Sequence, residues 1–361
     1  MAACISSNSY GGVNRNKHGF AAGLEQRGHE VTFVFNDSHG MAAHQFVFPI
    51  TLCGRLLFSR KRPDWIIARS FDGVFCALAC KVFRLSTRTI LHNHGWEEYV
   101  YEVERSLPAG TEIVPQTTWK AKLARFPLLR LMLWACTICM SGTFAEIVWI
   151  EKRYPQYRDK LRFVPNGVKV REYPFWERQT KWPLNFLSVG WFSWKKNIEY
   201  TLDVFNKVHQ KFPEATIYLI GTGIHGVPAQ VSQRKMEDCV FNMGDEPFEA
   251  MKTWFCRCPF LISSSRYEGG HSLAIVEAMS YGAIVFASSI PATTEFVHDK
   301  RNGVVLDGNN VGGDAEKMLP YITDKNGSLE LRRQAFATAM RNRWERQQQR
   351  LTKIIETPRA C

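Results

Sequence analysis

Strand-like and helix-like patterns alternate along this chain, and the alternation restarts near residue 185. Residues 2–6 read as a short apolar strand that runs into a polar loop with Gly11 and Gly12. A helix follows over about residues 16–27, with Phe20, Ala21 and Leu24 on one face and Gly28 placed to end it. Residues 31–35, 65–68 and 89–91 are β-branched or aromatic strand runs, and a helix fits 74–83. The second half repeats the rhythm, with strands at 185–189, 215–220, 260–262 and 284–287 and helices at 197–212 and 272–281. Such alternation builds parallel sheets with helices on both faces, since parallel strands need a crossover between them. A chain of 361 residues is long for one core. The expected fold is therefore two doubly wound α/β domains with a cleft between them, and ligands at the carboxyl ends of the strands. The expected division is 1–170, a linker at 171–184, a second domain at 185–340, and a C-terminal helix in 341–361 that can pack back on the first domain. The whole stretch 329–356 reads as helix and, being highly charged, as largely solvated.

Composition narrows the partners. Lys and Arg number 46 against 34 Asp and Glu, a net charge of +12, which favours an anionic partner. The strands lack the interleaved aromatic and basic residues of an RNA-binding sheet, so no nucleic acid is expected. No Gly-x-Gly-x-x-Gly turn opens a strand–helix–strand unit, which argues against a dehydrogenase. Cys53, Cys76, Cys80 and Cys239 sit in apolar runs, as reduced core cysteines do. Cys136 and Cys139 have metal-ligand spacing, but they fall in 133–140, which reads as a buried strand, and no second pair matches. A reducing, cytoplasmic setting is expected. The N-terminus lacks a basic region followed by an apolar core, so no signal peptide is expected. The longest apolar run, 126–140, is broken by Pro127 and Arg130 and is shorter than the ~20 residues a membrane span needs.

The chemistry concentrates in residues 264–279, Ser-Ser-Arg-Tyr-Glu-Gly-Gly-His-Ser-Leu-Ala-Ile-Val-Glu-Ala-Met. Gly269 and Gly270 form a turn feeding a helix that opens near Ser272 and Leu273. Free N–H groups and the helix dipole make such a start an anion site. Glu268 and Glu277 flank it and can accept hydrogen bonds from ribose or hexose hydroxyls. Phosphate and sugar recognition side by side suggest a sugar nucleotide. Blander roles stay open: Glu277 as a helix acid, Glu268 as a solvated loop acid, His94 as a strand-end turn residue and Lys196 as a surface charge.

Taken in order, these pieces resemble the retaining glycosyltransferases of family 4, glycosyl transferases group 1, which have the GT-B fold of two facing Rossmann-like domains. The resemblance rests on Gly11-Gly12-Val13 with Leu24 to Val31, on Arg62-Pro63-Asp64-Trp65-Ile66, on His94-Gly95 and on Val164-Pro165-Asn166-Gly167-Val168. It continues through Val189-Gly190 with Lys196, Ile220-Gly221-Thr222-Gly223 and Glu277-Ala278-Met279-Ser280-Tyr281-Gly282. Three positions depart from the family. Glu268 and Glu277 are nine apart instead of eight, Trp191 replaces an arginine, and Lys169 replaces an acid.

The resemblance implies a hexosyltransferase that retains configuration. Lys196 (with Lys195 as a substitute cation), His94 and Glu268 would serve the reacting sugar and leaving phosphate. Gly11, Gly12, Gly190, Gly269, Gly270, His271, Ser272, Leu273 and Glu277 would bind the donor. No Asp-x-Asp element is placed like a metal site, so metal independence is expected, with no cofactor beyond the nucleotide-diphosphate sugar as co-substrate. The resemblance also implies an acceptor that is a glycan or a lipid-linked molecule, as in polysaccharide or envelope biosynthesis. Residues 119–130 mix basic and apolar side chains, and Arg55, Arg60, Lys61 and Arg62 add charge, so a peripheral position on an anionic membrane is one reading. A helix with one buried and one solvated face is the other. Competing functions are an epimerase of the same fold and a basic membrane or nucleic-acid binding protein without catalysis. A phosphorylase on this plan should need a pyridoxal lysine and a far longer chain.

Overall fold

The computed structural model describes residues 2–7, 12–35, 41–69, 71–107, 119–170, 182–223 and 226–357. They form two compact units. One takes residues up to 107, 119–167 and 344 onward, and the other takes 168–343.

The first unit is a six-stranded parallel sheet of β1 (Ala2–Ser7), β2 (Glu30–Phe35), β3 (Trp65–Arg69), β4 (Arg88–Asn93), β5 (Ile138–Ser141) and β6 (Leu161–Phe163). Its order is β2-β1-β3-β4-β5-β6. Ile66, Ala68, Leu91 and Cys139 pack toward α2 (Met41–Phe58), α3 (Val74–Val82) and α5 (Trp119–Ala135). Trp65, Ile67, Ile90 and Met140 pack toward α1 (Gly12–Glu25) and α14 (Trp344–Glu356). The sheet is buried on both sides, so its strands are nearly continuous apolar runs. The remaining helices are α4 (Glu97–Ser106) and α6 (Phe144–Arg153).

The second unit repeats the design. β7 (Asn185–Val189), β8 (Thr216–Ile220), β9 (Val240–Gly244), β10 (Phe260–Ser263), β11 (Ile284–Ser288) and β12 (Val304–Leu306) are all parallel, in the order β12-β11-β10-β7-β8-β9. α7 (Ile198–Lys211), α8 (Val227–Gln233) and α12 (Val311–Thr323) cover one face. α9 (Phe248–Arg257), α10 (Leu273–Ser280) and α13 (Ser328–Arg341) cover the other, and α11 (Pro291–Thr294) is short.

Three elements differ from the sequence reading. Residues 133–135 end α5, and only 138–141 is strand. Leu129, Met132 and Leu133 are buried at helical spacing, and periodicity alone does not separate a buried helix end from a buried strand. α1 starts at Gly12, four residues ahead of the expected start. Residues 329–356 form two helices that belong to different units, parted at Asn342, whose amide group bonds back to the Thr338 carbonyl. Each helix buries one face and leaves the other to solvent. Leu331, Ala335 and Ala339 bury in the second core, and Leu351 and Ile355 in the first. Gly19 and Gly23 let α14 approach α1, since a Cβ at Gly19 would stand 2.5 Å from the Trp344 ring.

Of the expected linker, residues 171–181 lie outside the described residues, whereas Trp182 and Leu184 pack on the second core. Cys136 and Cys139 take part in no disulfide. Among the described residues no cluster suits a metal, and no helix is long and apolar enough to cross a membrane.

Candidate functional site

Strand order in the second sheet reverses between β7 and β10, so the chain leaves β7 toward one face and β10 toward the other. A crevice at the carboxyl end of such a pair is where doubly wound sheets bind ligands. Lys196, from the β7 exit, and Glu268, from the β10 exit, meet there. The Lys196 ammonium lies 2.5 Å from Glu268 Oε1, and both side chains are largely shielded. Ser265 Oγ donates to the same carboxylate oxygen at 2.7 Å. The loops are stitched together further. The Arg266 amide donates to the Lys195 carbonyl at 2.7 Å, and Ser264 Oγ donates to the Asn197 carbonyl at 2.8 Å.

Backbone geometry explains the glycines. Gly190 has φ +152°, and a Cβ there would fall 2.7 Å from Cε of Lys196. Gly221, at φ +139°, packs so tightly that a Cβ would sit 1.9 Å from the Gly190 carbonyl oxygen. The lysine therefore lies over a backbone that any side chain would push away.

Gly269 and Gly270 carry the chain from Glu268 to His271 and Ser272, and Leu273 begins α10. Among the described residues the Ser272 side chain makes no capping bond, so it does not occupy the first-turn amides of α10. Glu277 sits one turn further along α10 and is buried. His271 turns inward, with Nε2 3.3 Å from Glu295 and its ring 4.4 Å from that of Phe296. Lys195 points elsewhere, its ammonium lying over the Trp194 and Tyr267 rings.

Within the first unit, His94 follows β4. Its ring is tilted against that of His92 at 4.1 Å. Neither nitrogen of His92, nor Nε2 of His94, meets a hydrogen-bond partner among the described residues. Burial, then the Lys17 charge, pushes the His92 pKa down to about 3. Burial also pushes His94 well below the usual histidine value, helped by His92, Lys17 and Arg69. Both rings are neutral at pH 7. Lys17, buried in α1, is lowered to about 8 by burial, against the pull of Asp72. Its neighbour Asn16 donates to Asn166 Oδ1. Gly12 opens α1, and Gly11 lies outside the described residues.

Lys17, His92 and Glu295 were not singled out from the sequence. The first had a signal: Asn16 and Lys17 extend the Phe20–Ala21–Leu24 stripe one turn toward the N-terminus, where a purely structural helix would place apolar residues. Glu295 had none, since it lies beyond the next strand.

Comparison with known proteins adds the family relation. Residues 183–324 match the model of glycosyl transferases group 1, and residues 10–172 match that of glycosyltransferase family 4. A GDP-mannose:cellobiosyl-diphosphopolyprenol alpha-mannosyltransferase of Xanthomonas oryzae pv. oryzae is 24% identical over 191 residues, 52% of this chain and 50% of that protein. The chain spans about half the length of the curated relatives it matches. Among solved structures, sucrose-phosphate synthase from Thermosynechococcus elongatus superposes with a TM-score of 0.80 at 15% identity, covering 98% of each chain. Anabaena HepE in complex with UDP-glucose gives 0.72 at 16% identity, covering 98% of this chain and 99% of its own.

Proposed function

We propose that this chain, which belongs to the glycosyl transferases group 1 family and has the GT-B fold, moves a hexose-type sugar from a nucleoside-diphosphate donor to a glycan, lipid-linked or envelope acceptor. The observation that carries the reading is the shielded Lys196–Glu268 pair at the β7–β10 switch point, beside the uncapped start of α10. Breaking the anomeric bond puts negative charge on the leaving phosphate, so catalysis needs positive potential already in place. Lys196 and the α10 dipole supply it in the role a divalent ion would otherwise take. An arriving diphosphate draws Lys196 away from Glu268, and the freed carboxylate then accepts from donor-sugar hydroxyls. Glu277 accepts from the ribose hydroxyls. His94, neutral and with Nε2 unpartnered, holds a sugar hydroxyl without desolvating a charge. Transfer retains configuration by attack on the face from which the phosphate departs. In this reading the second unit is the donor side and the first the acceptor side, and no cofactor takes part.

The name of the Xanthomonas relative supports a nucleotide donor and a polyprenol-linked acceptor, and the UDP-glucose complex of HepE supports a nucleotide sugar. A lipid-linked acceptor places the enzyme at the cytoplasmic face of a membrane, peripherally bound.

A thermal-shift screen of nucleotide sugars tests this. One donor class should raise the melting temperature selectively. Glu277→Ala should remove that shift, and a shift left intact by the substitution sinks the ribose role. Donor consumed without any acceptor would replace transfer with epimerisation.

A further inference from the structure

Three helices of the first unit contain no acidic residue: α2, α3 and α5. A helix face built only for water carries both signs of charge. These three instead pair basic side chains with exposed apolar ones. They pack side by side on one face of the sheet and run antiparallel to its strands, so all three end at the edge where β3, β4 and β5 begin. Seven of the eleven exposed large hydrophobics among the described residues lie on them or on the residue just after α3. Phe58, at the end of α2, is 89% exposed; Val82 and Phe83, at the end of α3, are each 63% exposed; Trp134, at the end of α5, is 42% exposed. Arg55, Arg60, Lys81 and Arg84 are exposed around them. The Lys81 ammonium stands 5.7 Å from the Trp134 ring centroid, which ties α3 to α5. Beneath the end of α2 is a cavity of about 240 Å³, lined by Leu52, Leu56 and Ile66 and by Arg55, Lys61 and Arg62. Two acids stand at this edge against the basic residues: Glu30, paired with Lys61 at 3.6 Å, and exposed Asp64 just before β3.

We infer that this edge of the first unit, formed by the ends of three helices that carry no acid, docks on an anionic lipid surface. Aromatic and aliphatic tips enter the headgroup boundary, while Lys and Arg keep their charged ends at the phosphates. A nucleic acid would match the charge but gain nothing from Phe58, Val82 and Phe83. The inference deepens the proposal of a membrane-bound enzyme by naming the surface. It narrows the surface expected from residues 119–130 with Arg55, Arg60, Lys61 and Arg62 to the helix ends, and adds α3 and the exposed apolar tips.

Flotation with phosphatidylcholine vesicles, with and without phosphatidylglycerol, is the test. The full chain should float with the anionic vesicles and be released as salt rises. Arg60→Glu with Lys81→Glu should cut partitioning by about fivefold or more for each basic residue lost. Phe58→Ser with Phe83→Ser should weaken it as well. Both double variants should keep the donor-induced thermal shift of the parent, which reports an intact second unit, and circular dichroism should show an unchanged fold. A parent chain that does not float overturns the inference. So do double variants that float as the parent does, although that result leaves membrane binding standing through another surface. A parent dimer that the same substitutions dissociate would assign the face to a second copy and overturn the lipid. Flotation without any donor shift would keep the docking surface while removing the transferase reading.

Discussion

Both units are doubly wound parallel sheets, yet they hold polarity at the carboxyl ends of their strands in opposite ways. The second unit stores formal charge in shielded partnerships, Lys196 with Glu268, and sets His271 against Glu295. The first unit keeps two neutral imidazoles, with both nitrogens of His92 and Nε2 of His94 unpartnered among the described residues, near a lysine whose proton is weakly held. A partly buried ion pair can trade one anion for another without leaving its cation bare. A neutral imidazole can meet a hydroxyl without desolvating a charge. One architecture thus yields one edge that can exchange anions and another that can meet uncharged hydroxyls.

The largest effect should come from taking the cation out of the charged edge. Lys196→Ala should lower kcat by about a hundred- to a thousandfold, the loss typical of one preorganised donor at a developing anion. Lys196→Arg, which keeps the charge, should recover most of it. Steady-state kinetics at saturating donor decide the matter. A kcat for Lys196→Ala within threefold of the parent would mean that the Glu268 pairing is only structural.

A smaller effect, in stability, should come from the neutral edge. Folding lowers the Lys17 pKa from 10.5 to about 8. The folded protein then releases this proton near pH 8, whereas the unfolded chain keeps it up to about pH 10.5. Between those values the unfolded state binds more protons, so stability rises with pH, by up to roughly 1.4 kcal/mol per unit from this group. Below pH 8 both states hold the proton and the contribution is flat at its least favourable level. Lys17→Met should stabilise the protein at pH 7 and flatten the rise between pH 8 and 10. Urea unfolding across that range measures it; an unchanged slope would show that Lys17 is not the titrating group.

The sequence made some of this visible for reasons that are physical. β7 and β10 are buried on both faces, so 185–189 and 260–262 stand out as apolar runs bounded by polar turns. β9 is an edge strand with exposed Phe241 and Met243 and no alternation, and it does not stand out. The α5–β5 junction is hidden in the sequence because both elements are apolar there. At the site, the order of the motifs located Lys196 and Glu268 separately. Their pairing joins segments 72 residues apart and depends on Gly190 and Gly221 bringing two turns into contact, which no local pattern records.

The smallest effect concerns the residue that departs from the family pattern, Trp191. Its indole is 61% exposed and lies against Gly223, where a Cβ would stand 2.5 Å from Cδ1 of the ring. The side chain therefore rests on the β8 exit turn, beside the Gly190–Lys196 contact, and brings no charge to the edge. Trp191→Arg would add a cation there and tip the comparison further: more positive potential in the second unit, no change in the first. Because the position is exposed, solvent and salt screen most of that charge. The donor KM should fall only about two- to fivefold, with kcat nearly unchanged, and the gain should fade at high salt. A rise in KM would instead mean that the indole itself contacts the donor, and the charge contrast between the two edges would then rest on Lys196 alone.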